Sequence, residues 1–383
     1  MILLLSTPVF ASSFDGNATT MFRQTTIDLY GSNGTFSPVY EFISYNFEDV
    51  KNFDGSVYLR ARTGNVYYSP DPNDVLLYSA YADWKPNDNF VLRTGRQTIY
   101  QDISVFSIDG FKVDLPQITR QLGISAYIGK PANLYSGNPD RNLLGFRTNI
   151  NLRENLSMAL DYFAEQQGGA DLRKVGGLKV KADLRNLSLD GLVNYDMLRT
   201  VTKNYSLNAS LPVGENLNLM AQYNAETPEF DPQSVFAVFK YAYNPVKRSS
   251  AGANYNFNDN IGIYGWYGMI DEDAARGRDW RLGLTNKSFL LFNTSVDYYK
   301  TEGLDGDRSN LLCCASRQIN ERFKFTGQVG FNTLGTQNVT TGGADLTYNL
   351  RENIDLGINY QAVLGGFNQN SKLVASASIN LGE

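Results

Sequence analysis

Hydrophobic and polar residues alternate with a period of two along most of this chain. The pattern is cleanest near the C-terminus, where Ala344, Leu346, Tyr348 and Leu350 interleave with Asp345, Thr347 and Asn349. After the polar turn Arg351-Glu352-Asn353, Ile354, Leu356, Ile358 and Tyr360 interleave with Asp355, Gly357, Asn359 and Gln361. Strand side chains point to opposite faces in turn, so each such run has one apolar and one wet face. Leu217, Leu219, Ala221 and Tyr223 oppose Asn218, Gln222 and Asn224 in the same way, and Phe323, Phe325, Val329 and Phe331 oppose Lys324, Thr326, Gln328 and Asn332. The last run, Leu373 to Leu381, alternates as well. A helix would scatter these sets around its axis, so the chain reads as all-β.

The connections fall into two kinds. Short ones are rich in Asn, Asp, Glu and Gly: Lys85 to Asn89, Arg153 to Asn155, Arg185-Asn186, Gly214 to Asn216, Asn258 to Asn260, Asn286-Lys287, Asn320-Glu321 and Arg351 to Asn353. Asn, Asp and Gly tolerate left-handed backbone and bond their own turns, which suits tight antiparallel reversals. Longer connections lie between them, at Pro131 to Asp140, Gln166 to Asp171, Asp271 to Gly277 and Glu302 to Asp307. This alternation predicts a transmembrane antiparallel up-and-down β-barrel of about 22 strands, in a range of about 18 to 22, with short turns on one rim and long loops on the other. Strands are counted from Thr25, and the even count puts both termini at the short-turn rim. Phe230 to Tyr243 and Ser249 to Phe257 both read as strands, so parity requires Glu226 to Lys247 to be a long external or inward-folded segment. Closure would also remove the edges that so long a sheet exposes.

Composition changes what such a sheet can be. Mean hydropathy is −0.31, and no apolar run reaches the roughly 18 residues of a membrane helix. A barrel still fits, because half of every strand lines water. A net charge of −5 with no basic run argues against nucleic acid as a partner. The chain has no histidine, which removes His zinc sites, Ser-His-Asp triads and Cys-x-x-Cys-His haem attachment. Cys313 and Cys314 are strand neighbours whose side chains diverge. The carboxylates show no pair at glycosidase spacing. Acidic clusters at Asp271-Glu272-Asp273 and Asp305-Gly306-Asp307 lack the twelve-residue calcium-loop pattern. The sequence thus predicts no enzyme, no cofactor and no metal.

If the apolar face meets lipid, the wet face lines a lumen. Strict alternation places Arg60, Arg62, Arg93, Lys112 and Arg147 there, followed by Lys179, Lys181, Arg281 and Lys324. Asp161, Asp183, Asp190, Asp279, Asp345 and Asp355 share that face. Either the two signs form separate patches, which would create a transverse field and select ions, or they pair across strands. Two segments are candidates to narrow the pore. Gln97 to Phe106 breaks the alternation and carries Tyr100 and Asp102, while Glu226 to Asp231 carries Glu226, Glu229 and Asp231 with Pro228 and Pro232 beside them. Each either folds inward or lies on the outer rim. Aromatics near strand ends (Tyr78, Tyr81 and Trp84; Tyr162 and Phe163; Tyr241 and Tyr243; Tyr298 and Tyr299) fit interfacial girdles.

The start of the chain reads as the end of a secretory signal. Ile2 to Leu5 is apolar, and Val9-Phe10-Ala11 sets small residues at the recognition positions. Residues 1–11 are therefore expected to be a signal remnant and residues 12–383 a single barrel domain. The hairpins, the turn Asn-Leu-Arg-Glu-Asn occurring at Asn151 to Asn155 and again at Asn349 to Asn353, the segment Arg93-Thr94-Gly95-Arg96-Gln97 and this start together resemble the Gram-negative outer-membrane porins along the whole mature length. The end departs from them: such barrels usually finish on an aromatic residue, and this chain ends Ile379-Asn380-Leu381-Gly382-Glu383.

The resemblance implies a place in the bacterial outer membrane, contact with its lipid, and passive diffusion of small hydrophilic solutes or ions through a charged lumen. It leaves open a homotrimer. An alternative is a structural barrel that sheathes a partner, such as the multihaem cytochrome of an electron conduit. About 22 strands would leave a wide lumen for it, and the haem would belong to the partner.

Overall fold

The computed structural model describes residues 13–382 apart from residues 30–31, 51, 65, 67–72, 133–139, 228–245, 273–274, 290, 304–306, 336, 352–353 and 366–369. The described residues form strands and turns, and no helix occurs among them. The first strands are β1 (Ser13–Leu29), β2 (Ser32–Phe36), β3 (Val39–Val50), β4 (Phe53–Thr63), β5 (Asn73–Asn87), β6 (Phe90–Gln101), β7 (Ser104–Thr119) and β8 (Leu122–Pro131). There follow β9 (Arg141–Arg153), β10 (Leu156–Gln167), β11 (Ala170–Leu184), β12 (Leu187–Asp196), β13 (Val201–Val213), β14 (Leu217–Glu226), β15 (Val246–Asn256) and β16 (Ile261–Glu272). The last are β17 (Ala275–Phe289), β18 (Phe292–Gly303), β19 (Arg308–Gln318), β20 (Phe323–Leu334), β21 (Gln337–Arg351), β22 (Ile354–Leu364) and β23 (Asn370–Gly382).

β2 and β3 share one place in the sheet. β1 pairs its second half with β2 and its first half with β3, and the break between them falls at Ser37-Pro38, where proline brings no N–H to the ladder. The sheet therefore has 22 antiparallel places, as the count from sequence expected. Neighbours in sequence are neighbours in the sheet, and β23 pairs with β1 from Asp15↔Gly382 to Ile27↔Asn370, so the order of pairings returns to its start. The first strand begins at Ser13 rather than Thr25. Its start reads as polar linker because Asp15, Asn17 and Thr19 belong to the wet face of a strand.

Ser13 and Gly382 lie at one rim with the short turns, among them Asp88-Asn89, Glu154-Asn155 and Arg185-Asn186. The opposite rim holds the strand ends Pro131 and Arg141, and Glu226 and Val246. β14 and β15 pair from Leu217↔Tyr255 to Glu226↔Val246, so residues 227–245 connect adjacent strands. The strand-like Phe230 to Tyr243 falls within that connection, outside the described residues. Three connections expected to be long are short. β10 turns into β11 through Gly168-Gly169, with Gln167↔Ala170 as the final rung. β16 and β17 pair to Glu272↔Ala275, and β18 and β19 leave only residues 304–307 between them. These strand ends lack an apolar face because they run past the apolar zone, so in sequence they look like loops.

The two faces separate as the period of two requires. Leu144, Phe146, Leu160, Val193, Leu207, Leu282 and Ile358 are exposed on the outer face. On the other face, Ile99, Ile103, Ile108, Tyr127, Leu143, Phe163 and Val175 form an apolar cluster with Phe106 against it.

Candidate pore and its constriction

The cluster exists because one hairpin leaves the sheet. β5 pairs with β6 only as far as Ala80↔Arg96, and β7 pairs with β8 only from Ile108↔Pro131 onward. Between these points, Gln97–Gln101 and Ser104–Ser107 pair only with each other. Glycines shape the neck. Gly95 adopts a φ of +117°, open to glycine and strained for other residues, and a Cβ there would strike the Ala80 carbonyl. Its cross-strand partner Gly110 lies as close to Ile128 and Gly129.

Beyond the neck the tip folds onto the inner wall of β8–β11. Ile103 sits over Gly177, where a side chain would collide with it. Phe106 packs between Tyr127 and Phe163, with both ring centroids at 5.6 Å. Each apolar side chain so buried contributes roughly 1.5–3 kcal/mol. Gln101 Nε2 donates to the Phe146 carbonyl at 3.0 Å, and the Tyr127 hydroxyl donates to Gln101 Oε1 at 2.8 Å. At the turn, Asp102 accepts from Arg147 Nη2 at 2.6 Å and from Lys179 Nζ at 2.7 Å. The Asp102 amide donates to Asp161 Oδ2 at 3.2 Å. Desolvation works to raise the Asp102 carboxyl, but Lys179 and Arg147 outweigh it and hold it below the usual carboxylate range.

Of the two segments named as candidates to narrow the pore, the structure folds Gln97–Phe106 inward. Tyr100, 74 % exposed, and Val105 lie on the side of the hairpin away from the cluster. Glu226 ends β14 at the rim and is exposed; Glu229 and Asp231 lie outside the described residues.

On the inner face most of the charged residues are paired with an opposite charge, across strands or two positions along one, rather than gathered in separate patches. Arg60 meets Asp74 at 2.8 Å, Arg93 grips Asp83 with two bonds of 2.6 and 2.7 Å, and Lys112 meets Asp114 at 2.8 Å. Arg147 and Lys179 share Asp102, with Asp161 and Asp190 near them at 3.5 and 4.0 Å. Lys181 reaches Asp190 at 3.8 Å, Arg281 reaches Asp297 at 3.7 Å, and Asp279 takes Arg248 at 3.7 Å. Arg62 is buried. Asp183 accepts from Ser188 and Asp345 from Asn359. Lys324 stands opposite Thr347, and Asp355 opposite Asn349. Of the two arrangements open from sequence, most of these charges follow the second, each with its opposite within one strand spacing.

The girdle reading is also corrected in part. Trp84 is exposed on the outer face, and Tyr162 stacks there on Phe146 at 5.6 Å. Tyr81, however, lies under the Arg93 guanidinium at 3.8 Å on the inner face. Tyr78 stacks at 5.0 Å on Tyr58, which continues through Phe42 to Tyr40. A bulge between Tyr58 and Leu59 of the β4–β5 ladder shifts this register. Phe163 is buried under the tip, and Tyr298 and Tyr299 point to opposite faces. Tyr241 and Tyr243 lie outside the described residues. Among the described residues no three His, Cys, Asp or Glu side chains come together as a metal site.

No protein-family model matches the sequence, and no curated protein matches it. Solved structures do. The siderophore receptor PirA from Pseudomonas aeruginosa aligns over 98 % of this chain and 81 % of its own, with 11 % identity and a TM-score of 0.66. The P pilus usher (PapC) translocation pore aligns over 96 % and 99 %, with 10 % identity and a TM-score of 0.53. The outer membrane protein opdK from Pseudomonas aeruginosa aligns over 98 % and 100 % with 9 % identity, at a TM-score of 0.48. At such identities only the fold follows, and the first two alignments carry it over nearly the whole chain: this protein has the fold of the Gram-negative outer-membrane β-barrels.

Proposed function

We propose that the protein is a passive channel for small hydrophilic solutes and ions across the bacterial outer membrane. The observation that carries this reading is the inward hairpin, whose described contacts are confined to one sector of the wall. Its tip docks on β8–β11, whereas the inner positions of β18–β22 are mostly polar, with Asn310, Thr326, Gln328, Thr347 and Asn359 among Lys324, Asp345 and Asp355, the lining expected of a water-filled passage. Because most of the lumen cations are matched by acids, selectivity between small cations and anions should be weak. Reconstitution into a planar bilayer tests the reading directly. Stepwise conductance that is nearly indifferent to ion sign is expected; folded protein without conductance would overturn it.

A further inference from the structure

The three tryptophans divide by face. Trp84 and Trp280 are each 41 % exposed on the outer face. Trp266 lies on the inner face, opposite Gly252 and Arg281 in the ladders. Its indole lies against Gly252, where a Cβ would come within 2.5 Å of the ring. One ring face is thus seated on the sheet and the other is left toward the lumen.

The indole borders a cavity of about 380 Å³ on the inner wall of β11–β14, lined also by Lys181, Asp190, Asn208, Ser210 and Gln222. Asn208 and Gln222 face each other across the β13–β14 ladder. Neither amide has a hydrogen bond to a described residue, and nor does the indole N–H, whereas the ionic and hydroxyl groups around them are engaged. Lys181 lies 3.8 Å from Asp190, Asp183 accepts from Ser188 at 2.6 Å, and Ser210 donates to Asn218 at 2.9 Å. The cavity therefore offers a flat apolar ring and two neutral amides, each able to donate and accept, beside a paired Lys181–Asp190 and an Asp183 already held by Ser188.

A ligand suited to this set is uncharged, has an apolar face to lie on the indole, and carries adjacent hydroxyls for the amides. We propose that this cavity is a carbohydrate subsite in the channel wall, sized for a mono- or disaccharide. The proposal rests on the channel reading for access, and names the class of solute that lingers there. A charged amino acid fits worse, because it would have to displace the Lys181–Asp190 pair.

Tryptophan emission reads the site once the outward indoles are replaced. In the full-length Trp84→Phe/Trp280→Phe variant, refolded in detergent, maltose should give a saturable change of emission, and potassium glutamate of equal osmolarity should not. Adding Asn208→Ala and Gln222→Ala should weaken the apparent maltose affinity by about tenfold, the scale of a lost hydrogen-bond pair. Gly252→Ala, which pushes the indole off the sheet, should weaken it comparably. A non-saturating response to maltose, an equal response to glutamate, or a response undiminished by the amide substitutions would overturn the subsite. Bilayer conductance of the same preparations separates the two readings: saturable binding without conductance removes the channel and leaves the subsite. Conductance without saturable binding does the reverse.

Discussion

The inner wall reads differently in its two halves. On β8–β11 the lumen-facing positions include Tyr127, Leu143, Phe163 and Val175, all buried; on β18–β22 they include Asn310, Gln328, Thr326, Thr347 and Asn359. The backbone is the same antiparallel ladder in both, so the difference lies in what each half faces. One half meets a folded hairpin and needs apolar surface to hold it, while the other meets water. Lumen side chains are chosen by their occupant, in the same way that core and surface residues are.

The largest difference between the two sectors lies at the hairpin. Ile103→Asp places a charge in the apolar contact over Gly177 and should release the tip, raising single-channel conductance several-fold. Thr326→Asp on the water-facing half should leave conductance nearly unchanged. Equal effects from the two would show that the halves do not differ. Next in size is the contrast of inner and outer faces on one strand. Ile358, 53 % exposed on the outer face, should cost about 2–4 kcal/mol when changed to Arg at mid-bilayer depth. Its inner-facing neighbour Asn359 should tolerate Arg within about 1 kcal/mol. Denaturant titration in liposomes checks both.

A smaller effect follows from acid. The Asp102 carboxyl is held below its unfolded value of about 3.9. Its stabilisation of the docked tip is therefore full above that pH, and is lost as pH falls through the lower folded value. Arg147, Lys179 and Asp161 surround it. Conductance should stay level from neutral pH down to about 4 and rise below it; Asp102→Asn should raise conductance at neutral pH and flatten the profile. The smallest effect belongs to the water-facing half. Asp355 has no ion-pair partner among the described residues, so Asp355→Asn should shift the reversal potential slightly toward anions. Stability should change by less than about 0.5 kcal/mol.

The strand order, the even count and the facing of residues such as Ile358 and Asp355 were legible because a period of two carries them locally. The break in alternation at Gln97–Phe106 marked the hairpin, but the wall that receives it went unread. Its signal was present in Tyr127, Leu143, Phe163 and Val175, large apolar residues on a face that should be wet. In sequence, Phe163 beside Tyr162 near a strand end reads as an interfacial girdle residue instead. The pairing of charges could not be read either. Asp102 meets Arg147 and Lys179 across 45 and 77 residues of chain, and a contact of that range depends on how far the hairpin bends at Gly95. Strand ends such as Asp271 and Glu272 looked like loop because hydropathy marks where lipid stops, not where hydrogen bonding stops.

The pairing of β1 with β23 has a kinetic consequence. Every other rung in the sheet joins segments adjacent along the chain, so it can form as a local hairpin with little loss of chain entropy. The β1–β23 rungs join residues such as Asp15 and Gly382, from nearly opposite ends of the sequence. Contacts of such separation form slowly and late. Until they form, the nascent sheet exposes two unpaired backbone rows, and the time spent in that state should set both its folding rate and its exposure to self-association.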